Sequence, residues 1–170
     1  IQGAMSWVSF PPLVAAVSNA GGLGILGAAF MSPEELRQNI RKIKGATDKP
    51  FGVNFMPDNP RIEELLDVII EEKVPVASYG KGNPKKIIER TKPHGIINMP
   101  TMGSLKHALR AEKDGADAVI VQGTEGGGHT GFVSTLVLIP IVASKVKIPI
   151  IAAGGIGNAR GMVAALALGA

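Results

Sequence analysis

Short apolar runs rich in β-branched residues alternate along this chain with longer segments in which apolar residues recur every three or four positions. The short runs predict buried strands, because apolar side chains on both faces are typical of a parallel sheet. The longer segments predict amphipathic helices. The predicted strands are residues 23–26, 51–55, 74–78, 95–99, 118–121 and 149–153, with residues 1–5 as the tail of an earlier strand.

Helix starts are marked by capping signals. Ser32 precedes Pro33, and Glu35 follows three residues after the serine, which is typical of a capped first turn. Two further helices are predicted to open by the same logic of a polar cap followed by proline. The remaining predictions are a helix over 104–114 and a last helix over 159–168. The proposed caps of these further helices are Asn59-Pro60, Asn83-Pro84 and Asn158.

Strands that alternate with helices about every 25 residues predict parallel β/α units. Glycine or polar residues follow nearly every strand, which favours a (β/α)8 TIM barrel, where all strand ends share one face, over an open sheet. Seven strands are predicted rather than eight, and such barrels usually need about 250 residues. We therefore expect residues 1–170 to be a single barrel domain that is a fragment, with the last strand beyond Ala170.

A glycine-rich loop follows the strand at 118–121. The segment 122–131 has the sequence QGTEGGGHTG, with four glycines in six residues and His129 directly after them. Glycine costs conformational entropy, so such a cluster is expected where backbone turns sharply or approaches a ligand. An imidazole beside exposed N–H groups is placed to move a proton, and His129 is the candidate catalytic residue. His94 and His107 are predicted to be surface residues.

Two other strand ends carry candidate binding residues. The segment 152–157, AAGGIG, leads into a helix N-terminus, where bare N–H groups favour an anion such as phosphate. Asn54 closes an otherwise apolar strand, and its amide needs either backbone partners or the polar edge of a ligand. The segment 21–24, GGLG, precedes a strand instead of following one, and therefore predicts a close-packed turn rather than a dinucleotide site.

Composition narrows the function classes. The chain has no cysteine, and its three histidines are scattered, so no metal site is predicted. A formal charge of +4 with six Phe and Trp residues and one Tyr gives little basis for nucleic acid binding. No apolar run reaches the roughly 18 residues that span a bilayer. We therefore expect a cytoplasmic protein with no membrane association.

Five segments together resemble the nitronate monooxygenase (2-nitropropane dioxygenase) family, which includes the flavin-dependent enoyl-ACP reductases. The likeness covers essentially the whole chain in order. It implies an FMN-binding TIM barrel followed by a smaller helical domain, expected beyond Ala170. The segments are 1–5 with Trp7, 18–24, 50–54, 122–129 and 152–156.

The resemblance also implies roles for particular residues. His129 matches the active-site histidine of the family and would deprotonate a nitroalkane or hold its anion. The residues expected near the flavin ring or ribityl chain are Ala4, Met5, Asn54 and Gln122, and those near the chain and phosphate are Gly127, Gly128, Gly154 and Gly155. Gly126 stands where alanine is common, and the following strand with a Gly-Thr pair for the phosphate is missing.

Three functions remain open at this point. The first expectation is an FMN-dependent nitronate monooxygenase that uses O2, and the second is an enoyl-ACP reductase that takes NADH as co-substrate. A non-catalytic flavin-binding protein is the third, and His129 argues against it, because passive binding needs no titratable group there. The expected partners are a nitronate or enoyl thioester substrate and a second copy of the chain in a homodimer.

Overall fold

The computed structural model describes all residues from Ile1 to Ala170. The chain divides into two compact units, residues 1–82 with 89–98, and residues 83–88 with 99–170. Six strands alternate with seven α-helices. In chain order the elements are α1 (Pro11–Asn19), β1 (Gly24–Gly27), α2 (Pro33–Ala46), β2 (Phe51–Phe55), α3 (Ile62–Glu71), β3 (Val76–Gly80), α4 (Lys85–Thr91), a 3-10 turn (Lys92–His94), β4 (Ile97–Met102), α5 (Leu105–Lys113), β5 (Val119–Gln122), α6 (Thr135–Ala143), β6 (Ile150–Ala153) and α7 (Ala159–Ala167).

In the first unit, β1, β2 and β3 lie side by side in parallel. Gly27 is opposite Asn54 in the β1–β2 register, and Asn54 is opposite Ser78 in the β2–β3 register. The core of this unit is formed by strand residues such as Leu26 and Val53 and by the inner faces of α2 and α3, all of them fully or almost fully buried. The register thus brings the ends of three strands to one level.

In the second unit, β5 pairs in parallel with β4 on one side and with β6 on the other. Gln122 is opposite Ala153 at the carboxyl ends of β5 and β6. Strand β5 has a buried core, with Val119 and Val121 fully buried. The glycines that follow β5 and β6 therefore begin at the same level of the sheet.

The parallel α/β architecture predicted from the sequence is confirmed, and each of the six apolar runs forms a strand within two residues of its predicted start. The prediction for residues 1–5 is wrong, because they form no strand. A single backbone bond, from Gln2 N–H to the Leu23 carbonyl at 3.0 Å, joins this segment to the start of β1. One such bond does not make a ladder.

The capping prediction is confirmed for α2. The Ser32 hydroxyl accepts a hydrogen bond from Glu35 N–H at 3.1 Å, and the Glu35 carboxylate accepts one from Ser32 N–H at 2.8 Å. For α3 the prediction fails, because the helix begins at Ile62 and not after Asn59. The Asn59 side chain accepts instead from Arg61 N–H at 2.8 Å, which forms a turn before the helix.

Helices α1 and α6 were not predicted from the sequence. Helix α6 is apolar on almost every side and contains Pro140, so it shows no helical periodicity. Leu109 of α5 is an exposed apolar residue, with 40% of its surface accessible. No helix of the protein is both long and apolar enough to cross a bilayer.

A buried carboxylate joins α2 to α3. Glu72, only 8% exposed, accepts hydrogen bonds from Arg41 at 2.9 Å, and from Arg37 and Lys44 at 3.2 Å each. Burial raises the pKa of Glu72, but the hydrogen bonds from Lys44, Arg41 and Arg37 outweigh it, so the net pKa is lowered. The ionised carboxylate therefore stabilises the first unit.

Replacing Glu72 by glutamine should lower the free energy of unfolding by about 1–3 kcal/mol, because charge-assisted bonds are lost in a buried position. A carboxyl group with a lowered pKa stabilises the fold above its unfolded pKa of about 4.3. The difference between parent and Glu72→Gln should thus shrink as the pH falls through the lower folded-state pKa. Urea unfolding at several pH values measures it.

The matched control is Glu71→Gln, because Glu71 pairs with Arg37 at 2.6 Å but its side chain is 59% exposed. An exposed pair of this kind contributes at most about 1 kcal/mol. Equal losses in the two variants would show that the buried Glu72 carboxylate has no special role.

Candidate functional site

The first unit holds the predicted residues Ala4 and Met5 beside the end of β1. Met5 N–H donates to the Ser9 hydroxyl at 2.9 Å, and the Met5 carbonyl accepts from Ser9 N–H at 2.8 Å. A Cβ on Gly27 would lie 2.8 Å from the Met5 carbonyl oxygen, so only glycine permits this approach. The turn is therefore fixed against β1, with its Met5 amide already bound internally.

Asn54 lies in the same unit at the end of β2 and is half-buried. Its side-chain Nδ2 donates to the hydroxyl of Ser78, a buried residue of β3, at 3.2 Å. Its backbone carbonyl accepts from Ala28 N–H at 2.8 Å. The sequence predicted backbone groups or a ligand as partners of this amide, and the partner in the structure is instead a side-chain hydroxyl.

In the second unit, the loop after β5 folds back on Gln122. The Gln122 side chain donates through Nε2 to the Gly127 carbonyl at 2.8 Å. A Cβ on Gly126 would lie 2.6 Å from that Nε2 atom. Glycine at 126 therefore leaves room for the Gln122 side chain to pack beneath the loop.

Thr135, at the start of α6, connects the two glycine loops. Its N–H donates to the Glu125 carboxylate at 2.9 Å. Its hydroxyl lies 2.8 Å from Glu125 Oε2 and 3.0 Å from the Gly154 carbonyl, and its single proton is shared between these acceptors. Three hydrogen bonds to the Glu125 carboxylate lower its pKa. The bond from Thr135 N–H has the largest effect, and those from Glu125 N–H and the Thr135 hydroxyl come next.

The loop after β6 begins with two glycines in the left-handed region, Gly154 at φ 106° and Gly155 at φ 69°. A Cβ on Gly154 would lie 2.6 Å from the Thr135 hydroxyl oxygen. Asn158 then caps α7 by accepting from Gly161 N–H at 3.1 Å, as predicted. This arrangement leaves Gly155 exposed ahead of a capped helix.

His129 lies at the exposed end of the loop after β5. Neither Gly127 nor Gly128 would bring a Cβ within 4 Å of another residue, so the backbone before His129 borders open space. His94 and His107 are exposed as predicted. His129 is thus the histidine that follows a glycine loop with free volume around it.

The second unit offers what an anionic phosphate group requires. Gly127, Gly128 and Gly155 present backbone next to open or exposed space, and α7 begins just beyond. Backbone N–H groups near a helix N-terminus favour negative charge. No cluster of three or more His, Asp or Glu side chains suited to a metal ion is present. The glycine backbone beside the start of α7 therefore fits a phosphate group.

Comparison with known families identifies the family of this chain. The model of the nitronate monooxygenase family matches residues 1–66 and 61–170, and so the entire chain. The chain belongs to the nitronate monooxygenase family. The parallel α/β fold is accordingly of the TIM-barrel class.

Relatives of this chain are named for different activities. A curated Rhodococcus jostii protein, (3aS,4S,5R,7aS)-5-hydroxy-7a-methyl-1-oxo-octahydro-1H-indene-4-carboxyl-CoA dehydrogenase, is 49% identical over 100% of this chain and 48% of its own length. The structure of FabK from Thermotoga maritima is 51% identical with a TM-score of 0.97, over 99% of this chain and 54% of its own. The nitroalkane oxidase of Streptomyces ansochromogenes is 32% identical with a TM-score of 0.91, over 100% and 62%. The chain spans about half the length of the first two relatives.

Sequence reasoning missed Glu125 and Thr135. Glu125 stood within the glycine motif and Thr135 within an apolar helix that showed no periodicity, so neither was singled out. The sequence feature that could have revealed them is a carboxylate and a hydroxyl placed beside the two glycine loops. Their contact, however, depends on how β5 and β6 pair. These two residues hold the loops that carry the predicted ligand residues.

Replacing Thr135 by valine keeps the shape of the side chain but removes the hydroxyl that joins Glu125 to Gly154. We expect backbone amides of residues 123–128 to exchange with deuterium roughly five-fold faster, as a loss of about 1 kcal/mol implies. Hydrogen exchange followed by mass spectrometry measures the rate.

Thr130→Val is the matched control, because Thr130 is exposed in the same loop. It should leave the exchange of residues 123–128 unchanged. If both variants exchange alike, the Thr135 hydroxyl does not hold the loop.

Proposed function

We propose that the protein is an FMN-dependent oxidoreductase that acts on an acyl thioester, in the manner of an NADH-dependent enoyl-thioester reductase. The supporting observation is the order of the identities. Relatives named FabK and as a carboxyl-CoA dehydrogenase are 51% and 49% identical, whereas the nitroalkane oxidase is 32% identical. This reverses the order of the two activities expected from the sequence.

FMN is proposed as the cofactor because the family is flavin-dependent. The residues that would hold its ring and ribityl chain are Ala4, Met5, Asn54 and Gln122, and those that would hold its chain and phosphate are Gly127, Gly128, Gly154 and Gly155. When bound, a flavin takes two electrons from one substrate and gives them to another, which protein side chains cannot do.

The net reaction proposed adds one hydride and one proton across the carbon–carbon double bond of the enoyl thioester, while NADH is oxidised to NAD⁺. His129 is proposed to deliver the proton to the carbon next to the thioester carbonyl. Asn54 Oδ1 and the exposed loop amides are proposed to orient the cofactor. The Thr135–Glu125 contact would keep the His129 loop in place during this transfer.

Nitronate monooxygenase activity is the second candidate. The family model and the nitroalkane oxidase favour it. In that reaction His129 would remove the proton from the nitroalkane carbon or hold the resulting anion, and O2 would take up the electrons. Both candidates use the same histidine, so substrate and co-substrate must separate them.

Anaerobic absorbance spectra of the full-length, FMN-loaded protein distinguish the candidates. We expect NADH to bleach the flavin and an enoyl-CoA thioester to restore its colour. Bleaching by an alkyl nitronate but not by NADH would instead establish the monooxygenase. Bleaching by neither would favour passive flavin binding.

Replacing His129 by alanine should leave FMN bound and lower kcat by about 10²- to 10⁴-fold, because a proton-transfer group is lost. FMN content is measured by absorbance and kcat by steady-state kinetics. His107→Ala is the matched control, since His107 is an exposed histidine on α5. Equal turnover in parent and His129→Ala would exclude His129 from the mechanism.

A further inference from the structure

We propose that Trp7 and Phe30 form the surface that binds the apolar acyl group of the substrate. This inference rests on the proposed thioester activity and adds to it the group that selects among thioesters. Both residues belong to the first unit, and neither was assigned a role by the sequence motifs.

The side chains of Trp7 and Phe30 stack on each other at the solvent-exposed surface. Their ring centroids are 5.5 Å apart with an interplanar angle of 7°, yet Trp7 is 73% exposed and Phe30 is 69% exposed. Large aromatic surfaces left in water cost free energy, and contiguous patches of this kind mark binding sites. The stacked pair therefore offers a flat apolar surface to a ligand.

The backbone of Trp7 adds a second observation. Its φ angle is 68°, a left-handed conformation that is unusual for a bulky residue and costs energy. The turn is held in place because Val8 N–H and Ser9 N–H both donate to the Met5 carbonyl, at 3.1 and 2.8 Å. The fold thus holds Trp7 in an unfavourable backbone conformation in which its indole is exposed and stacked on Phe30.

A pocket of about 260 Å³ opens against the stacked pair. Phe10 and Met31 add apolar surface to its lining, and Gly27 at the end of β1 also lines it. This volume lies below the roughly 300–1,000 Å³ typical of drug-sized ligands, and so suits one part of a larger substrate.

Two of the polar side chains that line the pocket, Glu35 and Asn39, have hydrogen-bond partners within α2 and its cap. The Glu35 carboxylate accepts from Ser32 N–H, and the Asn39 side chain donates to the Glu35 carbonyl at 2.9 Å. The pocket is lined by the Glu35 carboxylate and by no cation, so the phosphates of a coenzyme would meet like charge there. The remaining apolar surface fits the acyl group, and Gly27 places the pocket next to Met5, a proposed flavin contact.

The test compares a short and a long substrate on the full-length, FMN-loaded protein. With trans-2-dodecenoyl-CoA, Trp7→Ala should lower kcat/KM about tenfold, because apolar contact with the chain is lost. With crotonyl-CoA, whose acyl group is too short to cover the pair, the change should be within about twofold. Phe30→Ala should show the same split, and Trp7→Phe should retain most of the parent's preference.

Leu109→Ala is the control, since Leu109 is an exposed apolar residue on α5. It should change neither substrate's kcat/KM. Equal loss with both substrates in Trp7→Ala and Phe30→Ala would overturn the proposal. So would a change of oligomeric state in these variants on gel filtration, because the pair would then be an interface between copies.

A binding measurement separates this inference from the proposed function. Dodecanoyl-CoA, which cannot be reduced, should change the tryptophan fluorescence of the parent protein but not that of Trp7→Phe. If this signal appears but NADH does not reduce the flavin and thioesters do not reoxidise it, the acyl-binding surface is supported and the proposed reductase activity is wrong. If thioesters are turned over but the signal is absent, the acyl surface is wrong and the activity stands.

Discussion

Close backbone approach at the carboxyl ends of the strands is the constraint on which the rest of this structure depends. A Cβ on Gly27 would lie 2.8 Å from the Met5 carbonyl oxygen, and one on Gly123 would lie 2.2 Å from the Thr135 hydroxyl. At such positions any side chain would push apart elements that must touch. In the same loops Gly127, Gly128 and Gly155 border open or exposed space, so glycine serves both the packing of the strand ends and the exposure of loop backbone.

The second unit shows how loops rich in glycine are kept in order. Glycine alone would leave the segment after β5 mobile, because it has the largest conformational entropy to lose. The Glu125 carboxylate and the Thr135 hydroxyl supply the missing constraint by tying that segment to α6 and to Gly154. The Glu125 and Thr135 contacts thus hold the start of the loop that carries His129, while His129 itself stays exposed.

The first unit reaches its order differently. Its strand ends are packed by the Met5–Gly27 approach and by the Asn54–Ser78 hydrogen bond, and its outer helices are joined by the charges around Glu72. Trp7 and Phe30 are the most exposed of the large apolar side chains in that unit. The two units therefore offer different chemistry: polar backbone and an imidazole in one, and flat apolar surface in the other.

The sequence by itself determined the parallel β/α order, the cap of α2 and the positions of the glycine loops, because these depend on periodicity and on residues close in the chain. It also predicted that His94 and His107 are exposed. Tertiary structure alone decided that residues 1–5 form no strand, that Thr135 bonds Glu125 and Gly154, and that Trp7 stacks on Phe30. Those contacts join residues 10 to 23 positions apart, and strand register and turn geometry, which local patterns do not encode, bring them together.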